Sequence, residues 1–349
     1  MYYLKSFYSS SPIISIKIDK NNHNFFHYIS KDNKIISFPT YYDKDKITGN
    51  IELKLNNNKS ILLESLTINV IGILQNGELS EKIFEDIIQI SDPQNPQNII
   101  NEITNFNFCF EPKSKPYETY ISGFMSIKYF LIALANIKIN DKISKLENKI
   151  DICCLKPATK KICDEYYLNK NNNKDLNINI GIENVIHVNI KLLKTNYCLD
   201  DIIVGKIKIA KSELQLNNIF LEIKREEKIN IDNKYLANCQ VLAKYELVEG
   251  YPEEGDEIYF RYYLNGVKNL TPSYINKDEK DKKYEVRYFL AFEFNDNTGY
   301  QFFKNIEIGI LRMNLNNTLI KNDKKDKKDK KDNIIEEKFI SVKNQIKNK

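Results

Sequence analysis

A chain of 349 residues exceeds the size at which a single hydrophobic core usually stops growing, so the length favours two domains. The formal charge of +5 is concentrated at the C-terminus: residues 321–332 carry seven Lys and four Asp (+3), and residues 333–349 carry four Lys and two Glu (+2). Residues 1–320 are therefore nearly neutral, which argues against a nucleic-acid-binding face on the fold, because such a face needs clustered basic residues.

Alternation of apolar and polar residues predicts strands along much of the chain. It is strict across residues 14–18, 51–55 and 185–192, where successive side chains point to opposite faces of a half-buried strand. Turn signals such as Asn76-Gly77 separate segments of this kind. Helical patterns are scarce, and residues 78–90 fit either a strand or a helix. The sequence predicts an all-β protein made of β-sandwiches.

An internal repeat is the strongest organisational feature. The segment ITGNIELKL (47–55) resembles IVGKIKIAK (203–211) at an offset of 203 − 47 = 156 residues. The segment SIKYFLIAL (126–134) resembles EVRYFLAFE (285–293) at an offset of 285 − 126 = 159 residues. Two matches in the same order at nearly one offset favour a duplicated sandwich. Coincidence in a composition rich in Ile, Lys and Tyr remains the alternative.

The repeat and the composition together set the predicted domains. A polar Asn-Lys run at 169–175 suits a linker, so we expect one sandwich at 1–170 and a second at 171–315. Residues 316–349 include the low-complexity run NDKKDKKDKKDN, which contains nothing that can bury a core. This charged tail is predicted to be disordered.

The sequence contains no recognisable catalytic or metal-binding constellation. His23 and His27 have the i, i+4 spacing of zinc ligands, but they lack the intervening Glu of a metalloprotease motif and a helical context, which favours loop histidines. His187 lies on the outward face of a predicted strand. The neighbours Cys153 and Cys154 lack the C-x-x-C spacing of a redox pair. We therefore expect a non-enzymatic binding protein without a cofactor or a metal.

Cysteine usage and hydropathy bear on the compartment. The six Cys form no C-x-x-C motif, and most of them lie in apolar or strand-like stretches, as expected of reduced thiols in a cytosolic protein. The N-terminus lacks a signal-peptide pattern, and no apolar run reaches the ~18 residues that cross a bilayer. The sequence predicts a cytosolic protein that does not span a membrane.

Several strings resemble, in order and spacing, the vacuolar protein sorting 26 family, the arrestin-like subunit of retromer. The most specific is GIENVIHVNIKLLKTNYCLDDIIVGKI (181–207), and the resemblance covers about residues 8–313. It implies two tandem arrestin-like β-sandwiches, no catalysis, and a place in a coat that sorts transmembrane cargo from endosomes towards the Golgi. The segments that carry the resemblance are 41–55, 111–131, 181–207, 243–264, 282–294 and 300–312.

The same resemblance implies a binding site for the family's long α-solenoid partner, vacuolar protein sorting 35. Family members grip that partner through a second-domain loop with two exposed apolar residues, which here fall on Leu247 and Val248 in AKYELVEGYP. Small apolar anchors ringed by polar residues concentrate binding energy. The alternative, that Leu247 and Val248 are strand-end core residues, stays open.

A second implied site binds cargo tails together with a sorting nexin. Its pocket positions carry over to Ile180 and Phe289, where an extended tail would add a strand and place one side chain in an apolar pocket. Either residue could instead belong to the core. Membrane association is then indirect, through the coat. The competing functions are a stand-alone arrestin-like adaptor that binds receptor tails without a solenoid partner and, with less support, a metal or lipid enzyme.

Overall fold

A computed structural model of the chain describes a mainly β protein. The predicted tail at 316–349 and His23 lie outside the described residues, as do the side chain of His27 and residues 172–175 of the Asn-Lys run. The described residues are 12–19, 25–29, 34–43, 45–55, 61–91, 99–100, 103–139, 142–171, 176–182, 185–275 and 283–313.

The first sandwich packs a small sheet against a large one, and all of its strands lie between Ile13 and Leu155. The small sheet has the strand order β1-β4-β8, with β1 Ile13–Ile18, β4 Ile47–Lys54 and β8 Ile103–Phe110. The large sheet has the order β2-β3-β11-β10-β5-β6, with β7 on β5 and β9 on β10. Its strands are β2 Phe25–Ile29, β3 Ile35–Tyr42, β5 Ile61–Asn76, β6 Leu79–Gln89, β7 Ile99–Ile100, β9 Tyr120–Ile121, β10 Ser126–Ile139 and β11 Lys142–Leu155.

The second sandwich repeats this plan between Leu176 and Leu311. Its four-stranded sheet has the order β12-β13-β15-β18, with β12 Leu176–Ile182, β13 Ile186–Leu192, β15 Ile202–Ser212 and β18 Glu257–Tyr263. Its five-stranded sheet has the order β14-β20-β19-β16-β17, with β14 Asn196–Cys198, β16 Leu216–Ile231, β17 Lys234–Glu249, β19 Tyr284–Asp296 and β20 Gln301–Leu311. A single 3-10 turn at Leu264–Gly266 follows β18.

Strand order confirms the internal repeat. The order β3-β11-β10-β5-β6 in the first sandwich corresponds to β14-β20-β19-β16-β17 in the second, and β1-β4-β8 corresponds to β13-β15-β18. Gly49 and Gly205 occupy the same place in the two copies. A Cβ on either would meet a backbone carbonyl of one neighbouring strand in the sheet (β1 or β13) and a Phe ring of the other (β8 or β18). The two tandem sandwiches predicted from sequence are therefore present, while the exact boundaries 1–170 and 171–315 stay a prediction.

One helix departs from the sequence-based expectation. Helix α1 spans Lys160–Asn171 and includes residues 169–171, the first three of the segment expected to be a linker. Its apolar pattern is weak, and the contact that anchors it is made by Tyr166, whose buried hydroxyl donates to Asp201 over 2.7 Å in the second sandwich. The ambiguous segment 78–90 is a strand, β6. Among the described residues, no helix is long and apolar enough to cross a membrane.

A polar and aromatic junction joins the two sandwiches. The Tyr117 ring packs edge-on against Tyr274 at 5.3 Å and Tyr284 at 4.8 Å between ring centroids. The hydroxyl of Tyr120 donates to Oε1 of Glu227 over 2.6 Å, and Glu227 is completely buried. We call these five residues the junction cluster. Within it, a hydroxyl of the first sandwich donates a hydrogen bond to a buried carboxylate of the second.

Candidate partner-binding sites

Leu247 and Val248 lie in a strand, so the expectation that they belong to a loop is wrong. Strand β17 continues to Glu249, and the turn to β18 begins only at Gly250. β17 is the last strand of its sheet in the described part of the chain, and both side chains are half-buried against the core. The pair therefore lies at an open sheet edge. Its side chains are neither in a loop nor fully buried in the core.

A β-bulge explains why two consecutive apolar residues share this edge. Val248 pairs with Ile219, whereas the next pair is Glu246 with Phe220, so Leu247 is the extra residue on β17. A bulge leaves the extra residue without a cross-strand partner and re-aims its side chain. Alternation alone would place Leu247 and Val248 on opposite faces. With the bulge, both contact the apolar interior at its margin.

The bulge extends a row of inward-facing residues along the edge. Ala243 pairs with buried Ile223, and Tyr245 pairs with buried Leu221. The Tyr245 ring packs edge-on against Tyr262 of β18 at 4.4 Å, yet Tyr245 remains 46% exposed because no further strand covers it among the described residues. We call Ala243, Tyr245, Leu247 and Val248 the β17 strip. It is an apolar surface at the sheet edge.

The turn after the strip is held in a defined conformation. Gly250 and Gly255 have φ values of +114° and +98°, a region that favours glycine. The backbone N–H of Glu253 donates to Asp256 over 2.8 Å, so this acidic segment stabilises its own turn. Tyr251, at the start of the turn, is exposed. The strip is thus bordered by an ordered polar turn.

Ile180 lies on β12, the last strand of the four-stranded sheet within the described residues. It pairs with Val188, and its side chain is half-buried against the core. The next residue, Gly181, pairs with His187, and a Cβ at Gly181 would collide with the imidazole ring. Glycine in the GIENVIH string therefore lets His187 lie across β12, on the outward face that the sequence predicts for it.

Phe289 lies on the outer face of the five-stranded sheet. Its neighbours Tyr288 and Leu290 point into the core, whereas Phe289 stands between Lys224 of β16 and Glu307 of β20 and is half-buried. Phe289 and Ile180 belong to different sheets and face different sides of them. The structure does not bring their side chains together, and the two predicted roles remain separate predictions.

Sequence reasoning missed two further phenylalanines on the face of Phe289. Phe220 and Phe303 stand on either side of Glu293 in one cross-strand row. Phe303 is 53% exposed. The available signal was the alternation of Phe303 with buried positions along β20, which places it on the same face as Glu307.

Paired charges surround these aromatic rings. Lys244 Nζ lies 2.5 Å from Glu293 and 3.1 Å from Glu222, and Lys224 Nζ lies 3.1 Å from Glu222. Burial alone would raise the pKa of Glu222, but the hydrogen bonds from Lys224 and Lys244 lower it. The hydrogen bond to Glu293 raises the pKa of Lys244. Each cation of this group has a carboxylate partner.

The titratable groups that could support chemistry are dispersed. No group of three or more His, Cys, Asp or Glu in the described ranges could hold a metal ion. Cys153 and Cys154 are buried in β11, and burial raises the pKa of each thiol to about 12, which keeps both protonated. Cys109 and Cys239 are exposed.

Comparison with known proteins agrees with this architecture. Residues 9–298 match the family described as vacuolar protein sorting-associated protein 26. The chain is 26% identical to vacuolar protein sorting-associated protein 26B of Mus musculus over 312 residues, which are 88% of this chain and 87% of that protein. It is 26% identical to vacuolar protein sorting-associated protein 26 of Plasmodium falciparum (88% and 98% covered) and 23% identical to that of Schizosaccharomyces pombe (88% and 97% covered).

Proposed function

Because the chain belongs to the vacuolar protein sorting-associated protein 26 family, we propose that it is the retromer subunit that binds the long α-solenoid subunit. Family membership itself gives a role in vacuolar protein sorting and agrees with the absence of catalysis expected from sequence. In the proposal, the chain and a sorting nexin together recognise cargo tails on endosomes for transport to the Golgi, and the coat holds the chain at the membrane.

The β17 strip is the observation that best supports the solenoid contact. Leu247 and Val248 are apolar, half-exposed and bordered by exposed Glu246 and Glu249. Interfaces concentrate their energy in a few apolar anchors within a polar surround. An anchor on a bulged edge strand is also pre-ordered, which lowers the entropy that binding must overcome. These properties suit Leu247 and Val248 as the centre of a partner interface.

The cargo contact has two possible supports on the second sandwich. β12 ends its sheet in the described chain and offers an edge to which an extended peptide can add as a further strand. The face with Phe289 and Phe303 offers half-buried and exposed aromatic rings between paired charges. A tail on the β12 edge would gain affinity from backbone pairing, whereas a tail on the aromatic face would be selected through a side chain that contacts the rings.

The solenoid contact is tested with a Leu247→Asp/Val248→Asn variant in co-purification with the solenoid subunit. Each lost anchor is expected to cost about 2 kcal/mol, a weakening of about thirty-fold. Val241→Asn is the matched control, since Val241 is an exposed valine on the same strand. Val248 opposes buried Ile219, so Leu247→Asp alone, at the bulged position, serves as the variant with the smaller expected effect on folding.

Loss of binding by both Leu247 variants, with unchanged circular dichroism and normal binding by Val241→Asn, would support the proposal. Normal binding by a folded Leu247→Asp/Val248→Asn variant would contradict the assignment of the strip. If the wild-type chain does not bind the solenoid subunit but binds receptor tails directly, that result would favour the stand-alone adaptor instead.

A further inference from the structure

A cavity lies beside the junction between the two sandwiches. Its volume is about 310 Å³, which is room for about ten water molecules. Its walls come from the end of β16, the start of β17 and the start of β19, all in the second sandwich. Lys283 connects this lining with the first sandwich, because its ammonium contacts the carboxylate of Glu81 on β6.

The charges of the cavity lining are matched. Each cation has a carboxylate partner: Lys228 contacts Glu226, Lys283 contacts Glu81, and Arg287 contacts Glu285 and Glu307. The lining therefore does not call for a bound anion. What the cavity provides is unfilled space next to the Lys283–Glu81 ion pair.

The polar contacts between the sandwiches are spread across the large sheet of the first sandwich. Glu118, which contacts Arg312, accepts from the backbone N–H of Lys156 just after β11, and Tyr120 belongs to β9, which pairs with β10. Glu81 lies on β6, and the sheet continues from β10 through β5 to β6. The three strand spacings from β9 to β6 separate the two regions of contact by about 14 Å.

The region around Glu118 and Tyr120 is held firmly. The Arg312 guanidinium donates to both carboxylate oxygens of Glu118 over 3.0 and 3.1 Å, and these side chains are only 16% and 11% exposed. The aromatic rings and the buried Glu227 of the junction cluster lie beside this contact. A bidentate pair with little solvent around it has a fixed geometry.

The contact at β6 is of a different kind. Lys283 and Glu81 are 41% and 25% exposed, and one ammonium contacts one carboxylate oxygen. An exposed ion pair of this kind adds little stability and is weakened further by salt. A close-packed boundary would resist movement of β6 against the second sandwich, whereas the cavity leaves room for it. The joint is therefore firm near β9 and weak at β6.

We propose that the Lys283–Glu81 ion pair is a salt-sensitive latch between the two sandwiches. When it opens, the second sandwich rotates about the contacts of Glu118 and Tyr120 while both sandwiches stay folded. The latch thereby sets the angle between the β17 strip and the first sandwich. The inference concerns the shape of the chain alone, so it is independent of the partners in the proposed function.

Native cysteines allow the rotation to be measured. Cys109 on β8 and Cys239 on β17 are exposed, one in each sandwich. Nitroxide labels on this pair report the distance between the sandwiches by double electron–electron resonance, in a Cys163→Ala/Cys198→Ala background that leaves only buried thiols besides. At low salt, Lys283→Gln should raise the ratio of open to closed populations about two- to fivefold, the range for loss of an exposed ion pair.

Three controls separate the latch from other effects. Lys82→Gln removes an exposed ion pair with Glu85 on the same strand but within one sandwich, so it should leave the distances unchanged. Glu81→Lys/Lys283→Glu reverses the pair and should restore the closed distance, which Glu81→Lys alone should not. High salt should open the wild-type chain and have no further effect on Lys283→Gln.

Several results would overturn the proposal. They are identical distances in the wild-type chain and Lys283→Gln, an equal change in Lys82→Gln, and failure of the reversed pair to restore the closed distance. Lys283→Gln and Lys82→Gln should also melt at the same temperature, because the rotation occurs between folded sandwiches. A clearly lower melting temperature for Lys283→Gln alone would assign the ion pair to the folding of a sandwich instead of a latch.

Discussion

The hydroxyl of Tyr120 should contribute measurably to holding the two sandwiches together. It donates to Oε1 of the completely buried Glu227, whose other oxygen accepts from Asn238 over 3.1 Å and lies 3.7 Å from Nε of Arg225. Burial raises the pKa of Tyr120 well above its usual value, so the hydroxyl keeps its proton and stays a donor. Tyr120→Phe removes the Tyr120 donor and leaves the Asn238 donor in place.

The magnitude follows from what the substitution leaves in place. The phenyl ring retains its position near Tyr284 and beneath the Arg225 guanidinium, 5.6 Å from the ring centroid, so little packing is lost. A hydrogen bond to a charged group contributes about 1.5–3 kcal/mol, and a buried acceptor deprived of it keeps its full desolvation cost. For a domain of this size, each kcal/mol shifts the melting temperature by about 2–4 °C. We expect Tyr120→Phe to melt about 3–12 °C lower.

Thermal and urea unfolding of the purified chain measure the effect. Tyr300→Phe is the matched control, because it removes the same atom from an exposed tyrosine and should leave stability unchanged. A double-mutant cycle with Glu227→Gln isolates the pair, since the hydroxyl should matter less once the carboxylate is neutral. If Tyr120→Phe were as stable as Tyr300→Phe, the inference that a first-sandwich donor compensates a buried charge would be refuted.

Two further predictions concern the second sandwich. Phe289→Ala should weaken binding of cargo tails in the presence of a sorting nexin while sparing solenoid binding and the melting temperature, because Phe289 faces outward between Lys224 and Glu307; a parallel loss of all three properties would return Phe289 to a core role. Gly205→Ala should lower the urea midpoint, because its Cβ would lie 2.7 Å from the Lys191 carbonyl and 2.5 Å from the Phe260 ring. Gly266→Ala, which meets nothing within 4 Å, is the control, and equal midpoints would contradict the account.

The strands were predictable because one face of each sheet is buried. Alternation along 14–18, 51–55 and 185–192 marks strands whose inward residues are largely core residues in the structure. The repeat was also visible, because both copies need a residue without a side chain where Gly49 and Gly205 approach a neighbouring backbone. Local sequence carries these constraints, so it reveals them.

Other features depend on contacts that local sequence does not encode. Helix α1 has a weak apolar pattern and is anchored through Tyr166 to Asp201 of the second sandwich. Arg225 and Glu227 are charged residues at inward positions of β16, where alternation predicts apolar ones. Their burial is tolerated because Tyr120 of the other sandwich supplies a donor. Sequence patterns do not predict hydrogen bonds of this kind, because the partners are distant in the chain.

In the candidate sites, too, local sequence specifies some features and tertiary structure specifies others. The apolar character of Leu247 and Val248 was evident, but the bulge that aims both of them is a property of register, which the string AKYELVEG does not specify.

Two strand pairs in the described part of the chain are parallel, which has a consequence for synthesis on the ribosome. β11 runs parallel to β3 with Cys153 beside Thr40, and β20 runs parallel to β14 with Gly309 beside Asn196, so each pairing joins residues 153 − 40 = 309 − 196 = 113 positions apart. Contacts this distant in sequence form slowly and only after the later strand has emerged. The first sandwich can therefore close while the second is still being translated, and the Glu227 carboxylate then meets a Tyr120 hydroxyl that is already in place.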